Sequence, residues 1–438
     1  MQFEPSHIDV PIATNNGEIF ALSADARARH VHLIGQTGTG KTTLFKRMIA
    51  HDLAAGHGVA VIDPLGHLAE SALSLVPSHR AHEVVHLDAG DLERPLGLNV
   101  LDKAHPDFHA VIADDVVAAF LHVWGRDAVG DRSQQILRNS IRALLTAPTG
   151  TLLCIPRLLT DETYRERIVL TIKDPVVLTF FRREFASYDE RRRVEVTGPI
   201  LNKLDAIFSA PELRHILGQP RSTFDIRRIM DESRVLIINL RKGRIGEGNA
   251  HILGALAVTL IAQAAFARED TPPHLRRRFN LFADEFQDFA SAGVKRILSQ
   301  ARNMGLALTI GHQNLSQLLD ELRDAVLGNA ATTISFRVGA EDSEKLAAHI
   351  GLETLLDYGG LGSHETPAET LLAKLPNFEA YGRTLVDGAP TNALHLEMFP
   401  DPPPVHRHPE RIKNRSRNFF GRERRIVEGK IARFLGAG

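Results

Sequence analysis

Gly35-Gln36-Thr37-Gly38-Thr39-Gly40-Lys41-Thr42-Thr43 follows directly on the apolar run His30 to Ile34. The pattern is G-x-x-x-x-G-K-T, and its place between a strand and the start of a helix is the setting in which such a loop holds phosphate. Gly35, Gly38 and Gly40 lack a Cβ, so the backbone curls and aims successive N–H groups at the β-phosphate. Lys41 reaches the β/γ oxygens, and the hydroxyl of Thr42 suits Mg²⁺. Gln36, Thr37, Thr39 and Thr43 complete the loop, and the helix that begins here adds its N-terminal partial charge. The stretch predicts binding of a nucleoside triphosphate with Mg²⁺. What hydrolysis drives lies outside the motif.

Working outward, short β-rich runs recur at His30 to Gly35, Val59 to Asp63, Glu83 to Asp88, Arg234 to Leu240, Asn280 to Asp284, Ala307 to Gly311 and Thr332 to Val338. Most are apolar throughout, as strands buried on both faces of a parallel sheet must be, with helices as crossovers. The fold class is α/β with a largely parallel sheet. Between 104 and 218 the strand signals stop. Ile136, Leu137, Ile141, Leu144 and Leu145 share one helical face, Pro175 suits a first helical turn, and Ile200, Leu201, Leu204, Ile207 and Phe208 keep the 3.6 period. An all-α insertion over 104–218 thus separates a first half of the nucleotide-binding domain, 1–103, from a second half, 219–400.

The remainder, 401–438, opens on Asp401-Pro402-Pro403-Pro404 and carries ten Lys/Arg against four Asp/Glu. Two readings stand for this basic tail. It touches phosphate or an acidic partner, or it forms a solvated helix that docks Ile426, Ile431, Phe434 and Leu435 on the body.

Composition narrows the rest. Hydrophobic residues at 43% and charged residues at 24% over 438 positions exclude a disordered chain, and a net charge of -1 gives no global field for nucleic acid. One cysteine, Cys154, excludes an intrachain disulfide framework. His82-Glu83-Val84-Val85-His86 matches the zinc pattern H-E-x-x-H, but that pattern needs a helix, and Val84, Val85 and Leu87 read as strand. His105 and His109 share the i, i+4 spacing with Pro106 between them and no third ligand in view. The longest uncharged stretch, Ile252 to Ala267, falls short of the 18 or more apolar residues of a membrane span and reads as a core helix. Met1 to Arg29 has no continuous apolar run of the signal-peptide kind.

Hydrolysis needs a metal carboxylate and a group that positions water. Phe279-Asn280-Leu281-Phe282-Ala283-Asp284-Glu285 supplies both, with Asp284 at the end of an apolar strand as the Mg²⁺-holding Walker B carboxylate and Glu285 as general base. One strand later, Gln313 in Thr309-Ile310-Gly311-His312-Gln313 is a candidate sensor of the γ-phosphate. Arg302 lies between them, after the helix that follows Walker B. A rival reading comes from Asp63-Pro64-Leu65-Gly66, which matches D-x-x-G, and Asn202-Lys203-Leu204-Asp205, which matches N-K-x-D, the guanine-reading pattern of GTPases. The second needs a preceding buried strand, whereas 196–208 carries helical periodicity.

With these residues in place the chain resembles the ring-forming, DNA-pumping ATPases of the HerA/FtsK superfamily, most of all the coupling proteins of conjugative type IV secretion systems. The similar stretches are Gly35 to Thr43, Gly58 to Gly66, Leu87-Asp88 with Pro95 to Asn99, Arg132 with Gln135 to Asn139, Pro199 to Leu204, Ile237 to Leu240 with Gly243 and Gly246, Phe282 to Glu285, Arg302, Gln313, and Phe336-Arg337 with Leu346. The resemblance implies a RecA-like nucleotide domain, a homohexameric ring with ATP at subunit interfaces, and DNA held without sequence preference in a central channel. It also implies an all-α domain facing secretion-apparatus or relaxosome proteins. By position Arg302 matches the finger inserted into the neighbour's site, Gln313 the sensor glutamine, and Arg337 is a second arginine candidate. The family's usual N-terminal membrane helices have no counterpart in the roughly thirty residues before the loop, and neither does HerA's small β-barrel. That implies a cytoplasmic protein, at most peripheral at the inner membrane. For gripping DNA, Arg241-Lys242-Gly243-Arg244 is the best loop by composition, ordinary turn chemistry being the alternative, and Arg191-Arg192-Arg193 is a second basic spot.

Overall fold

A computed structural model describes residues 9–102, 106–289, 292–352 and 368–436. Its thirteen strands are β1 (Val10–Asn15), β2 (Glu18–Leu22), β3 (Val31–Ile34), β4 (Gly58–Asp63), β5 (Val84–Asp88), β6 (Val235–Asn239), β7 (Phe279–Ala283), β8 (Leu306–His312), β9 (Thr332–Ser335), β10 (Glu379–Arg383), β11 (Leu385–Val386), β12 (Ala389–Pro390) and β13 (Leu394–Met398). Eleven of them form one sheet in the order β2-β1-β13-β10-β9-β3-β8-β7-β4-β6-β5, and β11 pairs with β12 apart from it. From β9 to β5 every neighbour is parallel. From β9 outward to β2 the pairing is antiparallel.

The strands β4 and β6 are apolar up to their last residue because each face meets a different core. On β4, Ala60 and Ile62 join one cluster while Val59 and Val61 join the other. β6 splits the same way, with Leu236 and Ile238 on one side and Val235 and Ile237 on the other. A strand with period 2 and two buried faces has no position left for a charge.

All seven strands expected from the sequence are present, with ends shifted by up to three residues. The antiparallel wing was missed. Its first hairpin turns at Asn16 (φ 52°) and Gly17 (φ 82°), the pair of positive φ values that an Asn-Gly turn supplies, so a local signal for β1 and β2 did exist.

Between β5 and β6 the described elements are helical, including His109–Trp124, Asp131–Leu145, Glu190–Ser209 and Pro211–Leu217. Their apolar side chains, among them Phe120, Leu137, Ile155, Phe180 and Leu204, are continuous with the sheet-face cluster that contains Ala60 and Ile62. The helix Glu247–Phe266 is the bridge: Leu253, Leu256 and Ile261 are buried in that same cluster. The sequence reading stopped this apolar stretch short of a membrane span. The helical run Glu247–Asp270 is in fact long and apolar enough to cross a membrane, and it is 72% buried inside the protein. In the HEVVH stretch, His82 lies in the 3-10 helix Ser78–Glu83 and His86 in β5, so the two imidazoles share no helix face. His105 lies outside the described residues.

The tail forms two helices, Pro409–Phe420 and Arg424–Leu435. Ser416 Oγ accepts from His86 N at 2.7 Å, Arg417 pairs with Asp91, and Arg424 with Glu93 and Glu428. With Lys413 on Glu70, three of the tail's ten basic side chains pair with carboxylates of the body. Its apolar anchors are Ile412, Val427 and Ile431, with Phe434 half-buried; Ile426 and Leu435, expected to dock, are exposed.

One buried ion pair ties the segment before β3 to the helix after the phosphate loop. Arg27 Nη1 and Nη2 donate to Asp52 Oδ1 and Oδ2 at 2.9 and 2.5 Å, with both residues almost wholly buried. Burial pushes the Asp52 carboxyl up, and Arg27 with hydrogen bonds from His51 and His57 more than reverses it, holding it well below the usual carboxylate range. Asp52→Ala strands a buried guanidinium, so we expect a loss of about 3–5 kcal/mol in urea denaturation.

Candidate nucleotide site

The loop 35–40 is sewn to both neighbours of β3. Gly35 N donates to His312 O at 3.2 Å at the end of β8, and Gln36 N to Arg337 O at 2.8 Å just past β9. Phe336 forms the floor. A Cβ on Gly40 would stand 2.9 Å from Phe336 Cε1, and Gly40 (φ 125°) and Gly38 (φ 80°) both adopt backbone that L side chains rarely enter. A Cβ on Gly35 would stand 2.6 Å from Phe336 Cβ, so Phe336 belongs to the site as the reason positions 35 and 40 are glycine. Thr39 Oγ1 donates to Gln36 O at 2.7 Å and closes the turn.

The helix Lys41–Ala54 starts on Gly40 without a side-chain cap, so its first-turn N–H groups are left for an anion. Lys41 is buried and its Nζ donates to Gly35 O and, at 3.1 Å, to Gln36 O. The ammonium thus spans the mouth of the curl, on carbonyls it would exchange for phosphate oxygens. Burial lowers its pKa, and Asp284 and Glu285 partly restore it.

Asp284 follows β7, two strands from β3 with β8 between. Its carboxyl is pushed up to about 7, first by burial and then by the negative charges of Glu285 and Asp63, against which Glu285 N–H and Lys41 pull only part of the way. Asp63 has its own partners, accepting from Leu65 N and Ala69 N at 2.9 Å each as the anchor of the helix His67–Leu75. The carboxylate beside the loop whose charge is least compensated is therefore Asp284. Asp284 and the Thr42 hydroxyl are the groups that would hold a divalent cation, whose charge would offset the carboxylate, so the residues present fit Mg²⁺-nucleotide.

Glu285 has φ 45°, uncommon for a residue with a side chain and a mark of local strain. Its N–H donates to Asp284 Oδ1 at 3.0 Å. Two amides hold its carboxylate: Gln313 Nε2 donates to Oε1 at 2.9 Å and Gln287 Nε2 to Oε2 at 2.8 Å. The expected sensor and the expected base are in direct contact. Gln287 was not among the expected site residues, and only the turn after Walker B brings it there. Below them His32 and His312 stack with Nε2 atoms 2.8 Å apart, fully buried; His312 Nδ1 faces Asn314 O at 2.9 Å and fixes the turn that carries Gln313.

The two arginine candidates lie at opposite ends of the sheet. Arg337 is beside its own loop, with Nε 3.4 Å from Gln36 Oε1 and Nη2 donating to Asn377 Oδ1 at 2.9 Å. Arg302 precedes β8 and pairs with Asp25 at 3.1 Å. The seven residues of β8, about 20 Å of strand, separate it from the loop end. The GTPase patterns do not meet: Asp63 anchors a helix, and Asn202 and Asp205 lie in the helix Glu190–Ser209 of the insertion. The loop proposed to grip DNA is largely engaged by the protein itself. Arg241 pairs with Asp88 at 2.8 Å and Lys242 with Asp288 at 3.0 Å, while Arg244 is exposed. In the second basic spot Arg192 pairs with Glu195 and Arg193 lies over the Phe185 ring.

No family model matches the sequence, and no curated protein matches it. Solved structures do. The plasmid coupling protein TrwB in complex with ADP and Mg²⁺ superposes with a TM-score of 0.64 at 17% identity, covering 91% of each chain. This is the fold of the conjugative coupling proteins. The same protein with the ATP analogue ADPNP gives 0.61 at 18% identity over 90% of this chain and 91% of that one. VirB4 of Thermoanaerobacter pseudethanolicus gives 0.59 at 14% identity, over 90% and 96%. The α/β, RecA-like architecture expected from the sequence is the one these neighbours share.

The raised Asp284 pKa predicts a pH-dependent gain. Between 3.8 and about 7 the folded chain keeps a proton that the unfolded chain releases, so stability falls as pH rises through that window and levels off above it. In Mg²⁺-free buffer Asp284→Asn should therefore raise Tm by about 2–4 °C at pH 8 and by little at pH 4, as read by differential scanning calorimetry.

Proposed function

We propose that the chain is an ATP-hydrolysing motor that assembles as a homohexameric ring and moves DNA, delivering DNA or nucleoprotein to a type IV secretion or conjugation apparatus from the cytoplasmic side. Lys41 and the N–H groups of 35–43 hold the phosphates, and Thr42 with Asp284 holds Mg²⁺. Glu285 takes the proton of the attacking water, and Gln313, already bonded to Glu285, reports whether the γ-phosphate is present. The helical insertion meets cargo such as relaxosome proteins, and the ring channel holds DNA by its backbone.

One observation carries the ring. Each chain has its phosphate loop at one end of the sheet and Arg302 at the other, 44% exposed at its side chain and held by one surface pair with Asp25. An arginine so placed serves a nucleotide only across an interface. Electron microscopy with an ATP analogue, with and without DNA, tests the assembly: hexameric rings around DNA support the motor, whereas monomers that bind ATP without DNA leave a recruitment module.

Glu285→Gln should still bind ATP but hydrolyse it at least a hundredfold more slowly, since the glutamate acts on water in the transition state. Nucleotide binding by equilibrium dialysis and turnover by phosphate release separate the two effects, and wild-type turnover removes Glu285 from the mechanism.

Arg302→Ala should lose roughly a thousandfold in turnover while ATP binding persists. When inactive Lys41→Ala and inactive Arg302→Ala proteins exchange subunits, some interfaces pair an intact loop with an intact finger. Those mixtures should regain hydrolysis. A silent mixture with proven exchange transfers the role to Arg337.

A further inference from the structure

Lys242 stands three residues past the end of β6, and Asp288 three residues past Glu285. Lys242 Nζ donates to Asp288 Oδ2 at 3.0 Å and pairs with Glu247 Oε1 at 2.7 Å, while His251 Nε2 lies 3.4 Å from Asp288 Oδ1. Glu247, His251 and Asp288 bring ligand atoms within 4.8 Å of one another, a spacing that suits a metal ion. The ammonium of Lys242 already bonds both carboxylates, so the chain supplies the cation of this cluster itself. Burial pushes the Asp288 carboxyl up, and His251 and Lys242 more than reverse it, so the pair is charged on both sides.

Asp288 also belongs to the catalytic turn. Its N–H donates to Glu285 O at 3.0 Å within the 3-10 helix Phe286–Phe289, whose two phenylalanines are fully buried. Glu285 enters that turn at φ 45° with both carboxylate oxygens held by glutamines. The general base is thus restrained from the inside by Gln287 and Gln313 and from the outside by the ion pair on Asp288. The partner in that pair sits in the basic loop 241–244, pinned by Lys242 N to Pro64 O at 2.8 Å.

We infer that the Lys242–Asp288 pair is a positioning device that keeps the 285–289 turn in a resting form and releases it when a nucleic-acid phosphate draws Lys242 away. A phosphodiester offers Lys242 an anion in exchange for Asp288, and Arg244, exposed on the same loop, gives that phosphate a second cation. Asp288 then loses its ammonium, and the strained turn can re-aim Glu285 at water. The trigger rests on the reading of the chain as a DNA motor; the restraint rests on ATP hydrolysis alone.

The full-length chain tests both by steady-state ATP hydrolysis and by anisotropy of a labelled oligonucleotide. Asp288→Asn keeps the shape and removes the charge. It should raise basal kcat about fivefold, the weight of one partly buried ion pair, leave KM for ATP unchanged, and flatten any further rise with DNA. Lys242→Asp combined with Asp288→Lys rebuilds an ion pair of reversed polarity and should bring basal kcat back down. A damaged fold loses turnover, so a gain cannot come from misfolding. Basal kcat at or below wild type in Asp288→Asn overturns the inference. Wild-type protein that binds no oligonucleotide overturns the DNA trigger together with the motor reading, whereas a basal gain in Asp288→Asn upholds the restraint in either case.

Discussion

Parallel pairing of seven strands is the constraint on which the site depends. Because β9, β3, β8, β7, β4, β6 and β5 run in one direction, their C-terminal ends share one edge of the sheet. Their faces are covered on both sides, so they carry no charged residue before their last position, and the polar residues within them, such as His32, Asn280 and Thr309, are neutral and buried. Polar chemistry is expelled to the ends: Arg337 after β9, Gly35 after β3, Gln313 after β8, Asp284 after β7, and Asp63, Asn239 and Asp88 as the last residues of β4, β6 and β5. Register does the rest. Ile34 pairs with His312 and with Ser335, and Ala283 with Ile310, which brings the loop at Gly35, Gln313 and Glu285 to nearly one level.

Collecting carboxylates at one edge has an electrostatic cost, and each is met differently. Asp88 is neutralised by the Arg241 fork and Asp63 by two backbone N–H groups. Asp288 is met by Lys242, and Glu285 by two amides. Asp284 is left with one N–H and the distant charge of Lys41, which is why it titrates so far from an ordinary aspartate. The least compensated charge of the edge thus lies beside the phosphate loop, where it would suit a divalent cation.

The insertion and the tail are built onto this sheet. The inserted helices share a core with one sheet face through the helix Glu247–Phe266, and the helix His109–Trp124 is bonded to the helix after Walker B by Arg296 and Asp115 at 2.5 Å. Burial first, with Asp114 adding and Arg296 opposing, raises the Asp115 carboxyl to about 6. The tail crosses to β5 and spends Arg417 and Arg424 on Asp91 and Glu93.

The sequence by itself determined the strands of the parallel sheet and the placing of Gly35 to Thr43, Asp284-Glu285 and Gln313 at their C-terminal ends. Each is a local pattern: glycines where a curl needs positive φ, or an apolar run long enough for a strand and ending in a polar residue. It also held the Asn16-Gly17 turn of the first hairpin. Only the tertiary structure decided that Phe336 lies under Gly40, that Gln287 holds Glu285, and that Arg302 and Arg337 occupy opposite ends of the sheet. It alone showed Lys242 and Arg241 bound to Asp288 and Asp88 rather than open to a ligand. Those partners lie 46 and 153 positions apart in the chain. A basic loop reads the same whether its charges face solvent or a buried carboxylate, because composition records charge and only packing brings its partner to it.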